Sequence, residues 1–465
     1  MFCFLNPIDR DFGQLKEKAV WFYRDMTKQR KNSLPYSDKL GKLEGDVERY
    51  KREYLQMWWQ TPTAFPELGN TYPEAEQKSI ETELFRFIDR TSLKLDDYPD
   101  TETEQKAWMG EFIADIREFG RRFLEMSDLY LDSVFQDDAV LSTRMFVDKA
   151  KVFDPTLPIE NVYQALRNAW IMNSLQMYLH LDVKYQDSLF AYSMIYPYMD
   201  NYLDDVSLPL DEKLVLIRKL RAGLEGLGFV PENRNEKKIL QLIKMIESDY
   251  DRNKFPGVYQ SLLAIFNAQL RSLTQQKGHT LPFEGDILDL SFEKGGTSVL
   301  ADGYLICGTL EEQPANFCFG FGAFLQLADD IQDLVLDQKN DHATIFSLPA
   351  GKFSLDNLAN KLLNFMAEVV DVKLNVKDPN ARSLKELNLR NCTLLILEAI
   401  GKNRAYYSRE YWQNMERHFP IRFSRLKKLR KKLKTKILGK RRHVIDLELA
   451  AAFLLTATSR IISGK

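Results

Sequence analysis

Two short stretches of aspartate carry the clearest chemistry in this chain. FAYSMIYPYMDNYLDDVSLPL holds Asp200, Asp204 and Asp205, and FGFGAFLQLADDIQDLVLDQKND holds Asp329, Asp330, Asp333 and Asp337. On a helix, residues four apart stand one turn above each other, so Asp200 aligns with Asp204, and Asp329, Asp333 and Asp337 form a stripe two turns long. Acids on a helix often mark a solvated face, and for either stretch alone that reading is as good as any other. The settings argue against it. Phe190, Ala191, Tyr192, Met194, Ile195, Tyr196 and Tyr198 lead into the first, and Phe319, Phe321, Ala323, Phe324, Leu325, Leu327 and Ala328 into the second, interrupted only by Gln326. Carboxylates at the end of a buried helix repel and need a counter-charge. Hard oxygen donors without nearby His or Cys favour Mg²⁺, which keeps water and completes its shell with substrate phosphate.

Two such helices facing each other across an apolar cavity suit Mg²⁺ and a diphosphate attached to a hydrocarbon. The matching reaction is ionisation of an allylic carbon–oxygen bond: metal stabilises the departing diphosphate and the cavity keeps water from the carbocation. Aromatic faces add quadrupole attraction for such a cation.

The two motifs resemble those of the class I isoprenoid synthase superfamily, which includes prenyl diphosphate synthases, squalene and phytoene synthases and class I terpene cyclases. Gly322–Asp333, GAFLQLADDIQD, is similar to the prenyl synthase pattern in which FQ precedes DDxxD. Gly322, Phe324, Leu325, Gln326, Asp333 and Asp337 resemble the G-x-F-L-Q…D-x-x-x-D of squalene synthases, and Asp329, Asp333 and Asp337 match cyclase metal ligands at i, i+4 and i+8. DNYLDD looks most like the D-x-x-x-D-D of the squalene synthase branch. Between the motifs, FEKGGTSVLADGYLICG resembles the Lys-Thr segment of prenyl synthases, with Lys294 and Thr297 in the matching places. There Gly295–Gly296 is expected to break the helix and turn backbone polarity toward the cavity. The resemblance spans about residues 160–400.

It implies the superfamily's all-α helical bundle with extra helical segments at both ends. It further implies metal ligation by Asp200, Asp204, Asp329 and Asp333, with Asp205, Asp330 and Asp337 taking part, and about three Mg²⁺ ions with bound diphosphate. Lys294 and Arg404 are expected to assist diphosphate departure; Gln326, Tyr192, Tyr196, Thr297 and Asn173 are expected at the substrate. No Gly-Gly-Lys-Arg-like segment precedes the first motif and no Arg-Arg follows it, which disfavours chain elongation. The cyclase triad normally mixes amide, hydroxyl and carboxylate ligands, whereas here all three are Asp. The expected activity is that of a Mg²⁺-dependent class I terpene synthase acting on a linear prenyl diphosphate. The alternatives are a head-to-head prenyltransferase of squalene or phytoene synthase type and a non-catalytic prenyl-lipid binding homologue. Arg167, Arg271 and Lys339 are weaker diphosphate candidates, better read as solvated, and His180 and His342 show no metal spacing. Pro197 is expected to kink or restart the helix that bears Asp200.

The elements that must position these residues are helices. Of 465 residues 45% are apolar, with only 22 Gly and 17 Pro, too few turns for an all-β chain. Apolar residues recur at three and four, as in Trp108, Phe112, Ile113, Ile116, Phe119, Phe123 and Leu124. We read residues 1–150 as an N-terminal helical extension, 151–400 as the catalytic domain and 401–465 as C-terminal helices with a basic tail. The net charge of −2 divides unevenly: Ile421–Arg442 holds 12 Lys and Arg and no acid, leaving residues 1–420 at −14. An acidic body is a poor nucleic-acid binder. In the tail, Phe423, Leu426, Leu429, Leu433 and Ile437 recur at helical spacing, which suits either a contact with anionic lipid or docking on the body. The four cysteines show no CxxC pairing and no apolar run reaches a membrane span of roughly 18 residues, so the expected location is the cytoplasm, peripheral on the inner membrane face. Oligomeric state is left open.

Overall fold

In a computed structural model of the protein, the described residues are 37–123, 128, 131, 137–204, 209–272, 275, 286–373, 379–433 and 435–436. The fold is all-α. In chain order the helices are α1 (Ser37–Gln60), α2 (Glu74–Asp96), α3 (Glu102–Phe123), α4 (Asp137–Phe153), α5 (Ile159–Tyr178), α6 (Asp187–Asp204), α7 (Leu210–Leu224) and α8 (Arg234–Asp249). They continue with α9 (Pro256–Ser272), α10 (Ile287–Cys307), α11 (Glu312–Gln332), α12 (Leu334–Lys339), α13 (Asp356–Lys373), α14 (Pro379–Lys402), α15 (Arg409–Glu416) and α16 (Leu426–Leu433). Two compact units share them, one from the described residues of Met1–Thr61 and Asp148–Pro349, the other from those of Pro62–Val147 and Ala350–Lys465.

The first unit is built around α10 and α11, both buried along nearly their whole length. Asp286 starts α10 as its N-cap, accepting from the amides of Leu288 and Asp289 at 3.0 and 3.2 Å, and Gly308 ends it at a positive φ of 73°. Contrary to the expected break, α10 is unbroken through Gly295–Gly296. These glycines serve close packing. A Cβ on Gly295 would stand 2.3 Å from the Gly322 carbonyl oxygen, and one on Gly322 would stand 2.1 Å from that of Gly295, so the two backbones touch where any side chain would part them. Gly296 meets the ring of Phe319 in the same way. Likewise α6 continues past Pro197 to Asp204 without restarting, so the first acidic stretch enters on the helix that also carries Tyr192 and Tyr196.

Helix α1 is fixed on this pair by buried polar contacts. Lys51 reaches Asp289 at 3.2 Å and Glu293 at 3.3 Å, and Arg271 of α9 pairs with the same two acids. The Tyr54 hydroxyl donates to Asn316 Oδ1 of α11 at 2.9 Å. Such buried pairs specify where a helix docks more than they add stability.

In the second unit, Arg422 grips the buried Glu81 of α2 through Nε and Nη2 at 2.9 and 2.6 Å and through its own amide at 2.9 Å. Helix α16 buries Leu426, Leu429 and Leu433, while Arg430 and Lys432 pair with Glu398 and Asp89. Up to residue 433 the tail therefore docks its apolar stripe on its own unit; Ile437 lies outside the described residues. Among the described residues, no helix is long and apolar enough to cross a membrane.

The glycine contact gives a direct test. Gly322→Ala must push two backbones apart and should cost on the order of 1–3 kcal/mol, seen as a lower midpoint in thermal melting followed by circular dichroism. Gly110→Ala, on α3 with nothing within 4 Å of the added methyl, should leave the midpoint unchanged or raise it slightly.

Candidate functional site

The second acidic stretch spans a helix junction. Helix α11 ends at Gln332, Asp333 departs from helical geometry at φ −91° and ψ 9°, and α12 begins at Leu334. The four-residue ladder nevertheless continues across it: the Asp333 amide donates to the Asp329 carbonyl at 2.9 Å and the Asp337 amide to the Asp333 carbonyl at 2.8 Å. Asp329, Asp333 and Asp337 thereby keep the stacking expected of a continuous helix. Asp329, Asp330 and Asp337 are buried and Asp333 partly so.

Around them lies a set of supporting groups. Gln326 Nε2 donates to Asp330 Oδ1 at 2.8 Å, the Ser291 hydroxyl donates to Asp330 Oδ2 at 3.3 Å, and Gln275 Nε2 donates to Ser291 Oγ at 3.3 Å. Gln275 also holds the loop after α12, accepting from the Ala343 amide at 2.8 Å. The His342 amide donates to the Asp337 carbonyl at 2.8 Å, which keeps this loop against the acids. Lys294, only 4% exposed on α10, supplies the local positive charge.

The balance of charge is unfavourable. Burial, reinforced by Asp330, Asp333 and Asp329 and only partly opposed by Lys294, pushes the Asp337 carboxyl up to about 9. Burial also raises Asp330 to about 7, against the pull of its Gln326 bond and of Lys294. His342 is pushed down to about 4 by burial, with Lys294 acting in the same direction. Asp337 Oδ2 is buried without a hydrogen-bond partner. The cluster thus holds protons where a cation could stand, and a metal ion would displace them. Its donors are carboxylate and amide oxygens, the chemistry of a hard ion. Among the described residues, no three His, Cys, Asp or Glu side chains form a ready-made metal cage. That fits Mg²⁺ only in its common form, held by one or two carboxylates with water and phosphate for the rest.

Three contacts set the pairing of α6 with α10. The Tyr250 hydroxyl spans Gln186 Oε1 and the Leu305 carbonyl, Asn168 Nδ2 spans Ser193 Oγ and Asp302 Oδ1, and Tyr192 and Tyr196 lie beside Ser298. These contacts bring the Tyr192–Tyr196 turn of α6 against the Ser298–Asp302 turn of α10. The side chains of Asp200 and Asp204, and the whole of Asp205, lie outside the described residues.

The other expected residues are placed as follows. Tyr196 donates to Tyr192 at 2.6 Å, with both rings buried. The Thr297 hydroxyl donates to the Glu293 carbonyl of its own helix at 2.6 Å, so its proton is already used. Asn173 is buried on α5 and accepts from Gln176 at 3.4 Å. Arg404 belongs to the second unit, exposed, with its guanidinium 5.2 Å from the Trp412 ring centroid. Arg271 is engaged by Asp289 and Glu293. Gln275, Ser291 and His342 had no local signature, because a loop and a neighbouring helix bring them in. Comparison with protein-family models, with curated proteins and with solved structures gave no match.

The cluster predicts how stability responds to pH. The unfolded chain releases the protons of Asp337 and Asp330 near pH 4, whereas the folded protein keeps them to about 9 and about 7. Between these limits the native state binds more protons than the unfolded state, so stability falls as pH rises. Urea unfolding at pH 5, 7 and 9 should show this decline, and Asp337→Asn should flatten its upper part.

Proposed function

We propose that the chain is a Mg²⁺-dependent class I terpene synthase that ionises a linear prenyl diphosphate and releases diphosphate together with a cyclic or linear terpene. The observation that carries this reading is the excess of buried carboxylate over positive charge at Asp329–Asp337 and Lys294, on helices that are otherwise apolar. Asp200, Asp204, Asp329 and Asp333 would hold the metal, with Asp205, Asp330 and Asp337 beside them. When bound, Mg²⁺ supplies charge neutralisation for the leaving diphosphate.

The chain's own groups do the rest. Lys294 presents a fixed ammonium to the diphosphate oxygens in a site of low polarity, where its charge acts strongly. Gln326 and Ser291 hold Asp330 in place. The buried faces of Tyr192 and Tyr196 stand along the helix that leads away from Asp200, where a carbocation would be shielded from water. The described cysteines, Cys307, Cys318 and Cys392, are free, which supports a reducing cytoplasm. A contact of residues 421–442 with anionic lipid would rest on charge alone in the described part: Lys427, Lys428 and Lys431 are exposed and the apolar stripe is not.

Incubation with prenyl diphosphates of graded length and Mg²⁺, read by diphosphate release and mass spectrometry, tests the assignment. One of them should yield a single-chain hydrocarbon or alcohol. The double variant Asp329→Ala, Asp333→Ala should lose roughly 100-fold or more of the release, as should wild type in a chelator. A dimeric hydrocarbon would identify a head-to-head transferase, and binding without release would identify a prenyl-lipid binder. Release that persists in the double variant would overturn the metal ligands named here.

A further inference from the structure

A groove on the surface of the first unit combines apolar side chains with lysines that no acid neutralises. The last residues of α4 and the outer face of α8 border it, and its volume is about 420 Å³, a size at which small molecules bind. Val152 and Phe153 form one wall; Lys238, Gln241, Lys244 and Met245 of α8 form the other. The Phe153 ring meets Phe190 and Tyr198 of α6 edge-on, with centroids 5.8 and 6.0 Å away, so it is held in place. Val152 leaves 81% of its surface in solvent. A lone exposed valine is ordinary, but this one adjoins Phe153 and Met245 in a single apolar strip.

Charges around α8 are otherwise matched. Arg234 pairs with Asp154 at 2.7 Å and Lys219 with Glu236 at 2.8 Å. The remaining acids of α8 are engaged as well, Glu247 by Arg252 at 2.7 Å and Asp249 by the Ser188 amide at 2.7 Å. In contrast, no residue lining the groove is acidic, and among the described residues neither Lys238 nor Lys244 makes an ion pair. Lys238 is nevertheless fixed: its ammonium stands 4.2 Å from the Phe153 ring centroid and donates to the Phe153 carbonyl. An ammonium has three protons to donate, so two remain for a ligand. Lys244 is exposed and can close over one. In a body of net negative charge, this pair of lysines beside an apolar strip is a local reversal of sign.

We propose that this groove binds a single-chain anionic amphiphile, a phosphate monoester carried on a hydrocarbon chain. The phosphate sits between Lys238 and Lys244, and the chain lies along Phe153, Val152 and Met245. The two lysines are six residues apart, about 9 Å along α8 at the helical rise per residue, a span that their long side chains can close around one headgroup. Lysine meets phosphate as a point charge, and the ammonium already held on the Phe153 ring loses little freedom when it does so. Free phosphate would leave the apolar strip in water, and a neutral lipid would leave both lysines unanswered; only a ligand with both parts uses the whole groove. A bilayer surface would meet the rim alone, whereas a recess of this volume takes one molecule. The site shares no residue with the Asp329–Asp337 cluster and does not depend on the reaction proposed above.

Titration calorimetry on the full chain tests the site, with divalent ions removed by a chelator and dodecyl phosphate kept below the concentration at which it forms micelles. One equivalent should bind. Lys244→Glu should weaken binding about tenfold or more, and Val152→Glu should weaken it as well by setting a negative charge on the apolar strip. Both positions are exposed, so both variants should fold as wild type does. The double variant Asp329→Ala, Asp333→Ala should leave the affinity unchanged. Inorganic phosphate and dodecanol should each bind far more weakly than the amphiphile. No binding of dodecyl phosphate, or equal binding of dodecanol, would overturn the inference. So would an affinity that falls only in the aspartate variant, which would place the amphiphile in the acidic site. Association with phosphatidic acid vesicles but not with the monomeric amphiphile would also overturn it, assigning the lysines to a membrane surface. None of these outcomes bears on diphosphate release, by which the synthase reading stands or falls.

Discussion

Four carboxylates and one lysine share a space from which water is largely excluded, and much of the first unit follows from that imbalance. The acids lie at the end of α11, one of the two most deeply buried helices, and their mutual repulsion cannot be relieved by turning toward solvent. Lys294 offsets part of it from α10, and amide and hydroxyl donors on Gln326 and Ser291 offset a little more. Protons on Asp337 and Asp330 take up the remainder. A folded protein that keeps carboxyl groups neutral at such positions gives up stability that apolar side chains would have provided. That cost makes sense where a cation or a cationic intermediate is the intended occupant.

The backbone architecture serves the same end. Lys294 can face the acids because α10 and α11 touch at Gly295 and Gly322, and the adjacent residue, Glu293, anchors α10 to α1 and α9 through Lys51 and Arg271. The position of the lysine is thus fixed from both sides. Along α10, Lys294, Ser298 and Asp302 recur at intervals of about one turn. Along α6 the corresponding series is Tyr192, Tyr196 and Asp200.

Much of this was legible in the sequence. Sparse glycine and proline with apolar spacing of three and four identified an all-α chain, and four-residue spacing identified the aspartate stripe, although not that it survives the irregular Asp333. Gly295–Gly296 was misread, because a glycine pair signals either a break or a close approach and only the partner glycine at 322 decides which. Pro197 does not restart its helix: a proline removes one hydrogen bond, and a well-packed helix continues through that loss. The docking of α16 could not be chosen over a lipid contact, since both bury the same leucines. His342 and Gln275 carry no local pattern.

The most direct test of the account is the position of a divalent ion. Crystals of the protein grown with Mn²⁺ and inorganic diphosphate, with anomalous data collected at the manganese edge, would locate it without reference to any substrate. Manganese is expected against carboxylates of the Asp329–Asp337 stripe, with diphosphate beside Lys294. Crystals with diphosphate bound elsewhere, or with those carboxylates bare at saturating Mn²⁺, would contradict it.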